Sequence, residues 1–272
     1  MTGQAVFPWG AALLFCPADR PDRYDKALER ADAVILDLED AVDPSRRSVA
    51  REAIAASDLD PARVIVRVNP SGTDDQAADL AALALTPYSA VMLPKAERVA
   101  DLAALGGLEV IALCETAAGV RAAGELAVAD GVVALMWGAE DLVASLGGTS
   151  SRHADGRYRD VALHARSEVL LAAGAAGRSA IDTVHLDIGD LAGLASEAED
   201  AVAVGFAATA CIHPSQVETV RRAYRPSDEQ LREAVELLAA AETAGGGVFR
   251  HRGRMVDGPV VAHARAVLRR SS

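Results

Sequence analysis

Short apolar runs alternate with longer amphipathic stretches along the whole chain. Eight runs are apolar at nearly consecutive positions, which is typical of strands that are buried on both faces of a parallel sheet. These predicted strands lie at residues 11–17, 33–37, 63–68, 90–94, 109–114, 131–137, 180–185 and 207–212. The segments between them are rich in alanine and charged residues, and those at 23–31, 45–56 and 74–85 are predicted helices.

Strand and helix alternating eight times predict an α/β fold in which the strands close into a (β/α)8 TIM barrel. The length of 272 residues fits one such barrel. An open, doubly wound sheet is the alternative fold. We expect residues 1–225 to form the barrel and catalytic domain. Residues 226–272 follow the eighth strand and are expected to form a C-terminal helical extension, which opens with a capping box at Ser227-Asp228-Glu229-Gln230.

Composition excludes several classes of protein. The formal net charge is −12 and no block of basic residues interrupts it, so we expect neither nucleic acid nor a membrane as a partner. The three cysteines lie in apolar runs without a Cys-x-x-Cys spacing, which indicates buried thiols. The first apolar run is too short for a signal peptide or a membrane span, so we expect a cytoplasmic protein. Motifs of phosphate loops, dinucleotide folds and serine hydrolases are missing from the sequence.

Carboxylates follow two of the predicted strands. Glu115 comes after the run at 109–114, and Asp141 comes shortly after the run at 131–137. The carboxyl ends of parallel strands meet on one rim, where barrel enzymes place their chemistry. Two carboxylates with room for water and substrate suit Mg²⁺, so the sequence predicts a metal site at Glu115 and Asp141. Glu140 is the neighbouring alternative, but in a strand only one of two adjacent residues faces the ligand, and Asp141 is the predicted one.

Further charged residues fall on the same rim and are candidate catalytic residues: Arg67, Asp37, Glu39 and Lys95. The guanidinium of Arg67 fits a substrate carboxylate, and it equally fits a buried partner such as Asp37 or Glu39. We expect both acids to support the metal site through hydrogen bonds or water. A crowd of carboxylates raises the pKa of a lysine, so Lys95 is expected to orient acids rather than to form a Schiff base.

Two other features are less determined by the sequence. His213 precedes a proline and is more typical of a structural cap than of a general base. The polar loop at 147–156 is unusually long and directly follows the predicted metal ligand Asp141. It fits a lid over the site and a plain solvated loop equally well.

The motifs of the chain, taken in the order in which they occur, resemble those of the citrate lyase β-subunit-like proteins. These proteins belong to the magnesium-dependent HpcH/HpaI aldolase superfamily. The resemblance spans most of the chain. It rests on Phe-x-Pro-Ala-Asp-Arg at 15–20, Leu-Asp-Leu-Glu-Asp-Ala-Val at 36–42, Arg-Val-Asn at 67–69, Leu-Pro-Lys at 93–95, Glu-Thr at 115–116, Trp-Gly-Ala-Glu-Asp-Leu at 137–142, Ile-His-Pro-x-Gln at 212–216 and Met-Val-Asp at 255–257.

The resemblance implies a carbon–carbon lyase. Its expected substrate is a β-hydroxyacyl-CoA of the citramalyl-, malyl- or citryl-CoA type, which it splits into acetyl-CoA or a homologue and an α-keto acid with Mg²⁺ as cofactor. The alternatives are a malyl-CoA thioesterase and the β subunit of a citrate lyase complex that acts on a carrier protein. The acyl chain and the physiological direction are left open.

The resemblance also implies roles for residues. Glu115 and Asp141 match the Mg²⁺ ligands, and Arg67 matches the clamp on the substrate carboxylate. The backbone of Gly138 and Ala139 matches an anion-binding turn. Residues that match the path of the thioester carrier are Phe15, Pro17, Arg20, Ile212, His213 and Pro214. Asp257 matches an acid or base that the C-terminal extension supplies to a neighbouring subunit, which implies a homo-oligomer, expected to be a trimer.

Overall fold

Eight parallel strands close into a barrel in the computed structural model, which describes residues 7–245 and 247–270. Each strand pairs with the next one in the chain, and the first pairs with the eighth. The strands are Ala12–Pro17 (β1), Ala33–Asp37 (β2), Val64–Arg67 (β3), Ala90–Leu93 (β4), Glu109–Cys114 (β5), Val132–Trp137 (β6), Ser179–Asp182 (β7) and Ala208–Cys211 (β8). The predicted (β/α)8 barrel is therefore confirmed, and the open sheet is wrong.

Helices follow the strands and cover the outside of the barrel. They are Tyr24–Arg30 (α1), Arg47–Ala55 (α2), Asp74–Leu83 (α3), Ala117–Ala127 (α4), Ala139–Ser145 (α5), Asp160–Ala175 (α6), Leu191–Val204 (α7) and Pro214–Tyr224 (α8). Between β4 and β5 the chain forms a 3₁₀ helix at Val99–Leu105 instead of an α-helix. None of the helices within 7–245 and 247–270 has both the length and the apolar character needed to cross a membrane.

Side chains from all eight strands fill the interior of the barrel. The interior cluster contains Leu13, Ile35, Ile65, Met92, Ile111, Met136, Ile181 and Ala210, each almost completely buried. Such a packed interior leaves the rim at the carboxyl ends of the strands as the place for a site. The three cysteines are buried, as predicted.

A second compact unit begins at Arg221, whereas the first ends at Val220. The second unit contains the helices Asp228–Thr243 (α9) and Gly258–Arg269 (α10). Between them lies an antiparallel hairpin of Phe249–His251 (β9) and Arg254–Val256 (β10), which the sequence reading did not predict. The capping box is present at the start of α9, where Ser227 Oγ accepts from Gln230 N and Gln230 Oε1 accepts from Ser227 N. Of the two predicted domains, residues 1–6, 246, 271 and 272 lie outside the described residues.

Candidate active site

Glu115 and Asp141 meet at one end of the barrel. Cys114 at the end of β5 pairs in register with Trp137 at the end of β6, so the residues that follow these two strands are neighbours. The ammonium of Lys95 lies 4.0 Å from Glu115 Oε1 and 3.8 Å from Asp141 Oδ1. Both carboxylates line a cleft of about 350 Å³. The two residues that were predicted to share a metal ion therefore face the same space.

Glu115 is held from two sides. The backbone N–H of Lys95 donates to Glu115 Oε1 at 3.1 Å. On the other side, a Cβ atom placed on Gly138 would lie 2.8 Å from Glu115 Cβ and 2.9 Å from Oε2. A carbon side chain at position 138 has no room at these distances, so the glycine allows the close approach of the two strand ends. The carboxylate of Glu115 is fixed before any ligand enters.

Burial and like charge raise the pKa of Glu115. The side chain is 2% exposed, and desolvation together with the negative charge of Asp141 raises its pKa to about 8, against the opposing influence of Lys95 and Arg67. Two neighbouring carboxylates in a buried site repel each other unless a proton or a cation lies between them. The pair thus favours the binding of a cation.

Arg67 lies at the centre of a buried ionic network. Asp37 and Arg67 are cross-strand neighbours at the ends of β2 and β3, and Nε and Nη2 of Arg67 donate to Asp37 at 2.7 and 2.5 Å. Nη1 lies 2.8 Å from Glu39 Oε2. Lys95 donates to the other oxygen of Glu39 through a short contact. The guanidinium also lines the cleft and lies 5.0 Å from the ring centre of Phe15. It is thus a partner of both acids while it faces the ligand space.

The donor set fits a hard divalent cation. Glu115 and Asp141 offer carboxylate oxygens only, and within residues 7–245 and 247–270 no three His, Cys, Asp or Glu side chains converge in a way that could hold a metal. Two protein carboxylates that leave the other positions to water and substrate are the usual arrangement for Mg²⁺. The repulsion between the two acids, which a divalent cation would relieve, supports the same ion.

Lys95 is poorly suited to a Schiff base. Burial lowers its pKa, but the hydrogen bond to Glu39 and the charges of Glu39, Glu115 and Asp40 outweigh it, so the pKa lies above its ordinary value. An amine that attacks a carbonyl must be neutral, which requires the opposite shift. The rim favours the predicted role of Lys95 as a charge partner of acids.

Apolar residues from other strands form the walls of the cleft. They are Phe15 and Pro17 from β1, Leu113, Met136, Val184, Leu186 and Ile212. Gly138 and Ala139 also line it. Other candidates lie elsewhere among the described residues: Arg20 pairs with Asp22 at the surface, and exposed His213 accepts from Ser215 N at the start of α8, next to Pro214. That position of His213 is the structural cap expected from the sequence.

Two expectations about the segment after β6 need correction. Glu140 and Asp141 lie in the first turn of α5 and not in a strand, so strand alternation was the wrong reason for choosing between them. The structure nevertheless separates their contacts, because Glu140 accepts from Ser151 Oγ whereas Asp141 faces Lys95.

The long loop does not cover the metal cleft. Residues 150–158 line a different cleft of about 880 Å³ beside α6 and α7, and the described lining of the smaller cleft includes none of them. Arg152 ties the loop to Glu197 of α7 with two hydrogen bonds and lies over the ring of Tyr158 at 3.7 Å. The interpretation as a lid is therefore wrong for this conformation.

One supporting residue was missed by the sequence reading. Asp79 of α3 is 1% exposed, and its Oδ2 accepts from the backbone and the side-chain amide of Asn69 at 2.7 and 2.8 Å. Asn69 in turn donates to Leu38 O at 3.0 Å, beside Glu39. Asp79 thus fixes the loops that carry the acids and Arg67. It occupies a helix position, and nothing in the local pattern marks it.

Asp257 belongs to the second compact unit. It is the N-cap of α10, where its Oδ1 accepts from Val260 N at 3.4 Å. This contact explains a local structural role for the residue. Its expected role as an acid or base in a neighbouring subunit stays a prediction.

Known proteins are similar to this chain in sequence and in fold. The model of a family described as HpcH/HpaI aldolase/citrate lyase matches residues 11–214. A citrate lyase subunit beta-like protein of Mycobacterium tuberculosis is 57% identical over 262 residues, which cover 96% of each chain. The mitochondrial citramalyl-CoA lyase of Homo sapiens is 30% identical and covers 93% of this chain and 83% of its own. The crystal structure of CitE from M. tuberculosis in complex with magnesium, acetoacetate and coenzyme A has a TM-score of 0.92 at 57% identity, covering 96% of this chain and 98% of that one.

Proposed function

Because the chain belongs to the HpcH/HpaI aldolase/citrate lyase family, we propose that it is a magnesium-dependent lyase that splits a β-hydroxyacyl-CoA. The products are an α-keto acid and acetyl-CoA or a homologue. The observation that carries this proposal is the pair of Glu115 and Asp141, two carboxylates on one cleft that face a single cation-binding space. The resemblance drawn from the sequence motifs is confirmed by the family match.

The charges of the rim divide into two groups. Asp37 and Glu39 are balanced by Arg67 and Lys95 through direct contacts. Glu115 and Asp141 lie farther from a cation, 4.0 and 3.8 Å from the Lys95 ammonium, and once both are ionised they offer two carboxylates to a divalent ion. Bound there, Mg²⁺ supplies a Lewis acid that stabilises negative charge on substrate oxygens. Arg67 lines the same cleft and is proposed to orient the substrate carboxylate.

The reaction breaks the bond between the hydroxyl-bearing carbon and the α-carbon of the thioester. The hydroxyl gives its proton to solvent and its oxygen becomes that of the ketone, while the electron pair of the broken bond moves to the thioester as an enolate. The α-carbon then takes up a proton. We propose that Asp257 of a neighbouring copy delivers this proton, where a positioned acid is worth roughly 10²–10⁴-fold in rate.

The walls of the cleft fit a thioester arm. Phe15, Pro17 and Ile212 present apolar surface beside the polar floor. An extended chain of methylene and amide groups can lie along such a wall while its acyl end reaches the acids. We therefore propose CoA thioesters as substrates. We also propose that the working form is a homotrimer in the cytoplasm.

A substrate screen tests the reaction type. Purified protein with Mg²⁺ is offered citramalyl-, malyl- and citryl-CoA, and both the keto acid and free thiol are measured, with EDTA as the blank. Release of keto acid without free thiol is expected. Free thiol without keto acid would instead identify a thioesterase. Turnover of acyl carrier protein substrates alone would identify a subunit of a lyase complex. Borohydride trapping with pyruvate in EDTA is expected to leave Lys95 unmodified.

A further inference from the structure

Lys95 has an unusual position for a lysine. Its backbone lies in the left-handed region with φ of 50°, which is uncommon for any residue other than glycine. This conformation lets its N–H donate to Glu115 while its side chain turns to Glu39. Besides that short contact, the ammonium lies 3.7 Å from Asp40 Oδ2, 3.8 Å from Asp141 Oδ1 and 4.0 Å from Glu115 Oε1.

The ammonium therefore occupies the negative field in which a divalent ion would bind. A cation held by Glu115 and Asp141 would be a close neighbour of this nitrogen, and like charges a few ångströms apart in a partly buried site repel strongly. The side chain of Lys95 is 32% exposed and Asp40 is 59% exposed, so solvent only partly screens this repulsion.

We propose that Lys95 is a built-in counter-cation that competes with Mg²⁺ for the field of Glu115 and Asp141 and thereby sets the affinity of the site for the metal. This inference rests on the proposed function, since it takes these two acids as the metal ligands. It adds a role beyond orienting acids. In the metal-free protein, Lys95 partly neutralises the charge of Glu115 and Asp141, and it thereby lowers their affinity for Mg²⁺.

The sign of the effect separates this role from a purely structural one. If Lys95 only orients Glu39 and Glu115, its removal loosens the ligands and weakens Mg²⁺ binding. If Lys95 competes with the metal, its removal strengthens binding. The same substitution thus gives opposite results for the two roles.

The experiment is a calorimetric titration of the full chain with Mg²⁺ at a series of pH values from 8 upward. Each protein is compared where its Kd no longer falls with pH, because the loss of the Lys95 charge raises the pKa of Glu115 further. Lys95→Met is expected to lower the Kd for Mg²⁺ by about tenfold or more. Lys95→Arg keeps the charge and is expected to stay within about threefold of the wild type. The matched control is Lys26→Met, which removes the other lysine of the chain, an exposed residue of α1, and should leave the Kd unchanged.

Each outcome has one meaning. Equal or weaker binding by Lys95→Met overturns the inference and leaves the proposed function standing, provided the wild type binds Mg²⁺. A wild type that binds no Mg²⁺ overturns the proposed function itself. If Lys95→Met fails to fold, Lys95→Asn takes its place with the same expected result, because asparagine is neutral and tolerates a positive φ.

Discussion

Gly138 and Glu115 stand so close that the Cβ of any other residue at 138 would lie 2.8 Å from Glu115 Cβ. The contact follows from the register of β5 and β6, in which Cys114 and Trp137 are paired. Gly138→Ala must therefore displace Glu115 or the start of α5. We expect Mg²⁺ affinity and kcat/KM to fall by about tenfold or more, because a ligand displaced by a fraction of an ångström loses its geometry.

Gly124→Ala is the control for that substitution. Gly124 lies within α4 and has open space where its Cβ would be. An alanine there should leave activity unchanged and raise stability by about 0.5–1 kcal/mol, since glycine is a poor helix former. Both variants are measured by Mg²⁺ titration and urea unfolding. Normal Mg²⁺ binding by Gly138→Ala would contradict the expected displacement.

Loss of either carboxylate should abolish turnover. We expect Glu115→Gln and Asp141→Asn each to lower kcat/KM by at least about 10³-fold with the fold intact, because a neutral amide cannot replace a charged ligand. The measurement is keto-acid release with saturating Mg²⁺, alongside circular dichroism. Glu140→Gln is the matched neighbour, since Glu140 contacts Ser151 instead of Lys95. It should keep its activity within about threefold. Full activity in Asp141→Asn would rule out the proposed ligand pair.

The raised pKa of Glu115 predicts how Mg²⁺ binding varies with pH. Burial and Asp141 bring this pKa to about 8, so the metal-free site holds a proton at neutral pH that Mg²⁺ must displace. The Mg²⁺ affinity should therefore rise by up to about tenfold per pH unit below pH 8 and level off above it. Calorimetry in buffers of different ionisation enthalpy measures the released proton. A pH-independent Kd would show that Glu115 is already ionised.

The same carboxyl links stability to pH in the opposite direction. The pKa of Glu115 in the folded protein exceeds the ordinary value of 4.5, so between these values the folded state binds a proton that the unfolded state has lost. Stability from this group is complete below about pH 4.5 and declines as pH rises towards 8. At pH 8, the free energy of unfolding of metal-free Glu115→Gln should therefore exceed that of the metal-free wild type by roughly 1 kcal/mol or more. This corresponds to a rise in Tm of about 2–4 °C. An equal Tm for both proteins would contradict this linkage.

Asp79 should affect the site from a distance. The carboxylate of Asp79 accepts hydrogen bonds from Asn69 and Arg51, and Asp79→Asn replaces it with a neutral amide. Removing one partner of such a buried network lowers the free energy of unfolding by about 2–4 kcal/mol. Because Asn69 holds the loop beside Glu39, we also expect a KM for substrate raised by about threefold or more. Asp75→Asn is the control, since Asp75 contacts Arg51 but is 36% exposed and should cost less than about 1 kcal/mol. A change in stability without a change in KM would reduce Asp79 to a structural residue.

A mixture of two inactive variants tests the proposed sharing of Asp257. Asp257→Ala should lower kcat by about 10²-fold or more while keto-acid binding is kept. The Asp257→Ala and Glu115→Gln proteins are unfolded together and refolded into mixed oligomers. In these, the intact cleft of an Asp257→Ala chain can receive the intact Asp257 of a Glu115→Gln chain, so activity should return. Each variant refolded alone is the control. No recovery in mixed oligomers, verified by differently tagged chains, would place Asp257 outside the neighbouring site.

The sequence predicts the barrel well because nearly all residues of the apolar runs are buried and polar residues follow most of them. The eight predicted strands deviate little from the observed ones. The largest difference is in β7, which ends at Asp182, whereas the predicted strand continued through Thr183 and Val184, two residues that line the cleft. The rim acids were likewise visible as strand-end residues. Asp79 was not, because its importance comes from a contact between α3 and Asn69 that no local pattern encodes.

Other structural details depend on three-dimensional geometry that the hydrophobic pattern of the sequence does not predict. The 3₁₀ helix at Val99–Leu105 replaces an expected helix, and Asp101 caps its start through the backbone N–H of Arg98. The closeness of Gly138 to Glu115 arises from strand register, which one chain pattern does not determine. The position of the 147–156 loop is set by the pairing of Arg152 with Glu197, two residues far apart in sequence.

The apolar and charged residues of the cleft come from different places around the barrel rim. Its charged floor comes from residues at the ends of β2 to β6, whereas three apolar residues of its sides come from the remaining strands: Phe15 on β1, Leu186 after β7 and Ile212 after β8. A substitution at Phe15, Ile212 or Leu186 therefore reshapes the space for an acyl chain without removing a charged group of the floor. Of the three residues, Phe15 also contacts the floor, because its ring centre lies 5.0 Å from the guanidinium of Arg67. Such an arrangement allows one chemistry to be adapted to longer or bulkier substrates, and these three positions are where a redesign of selectivity should begin.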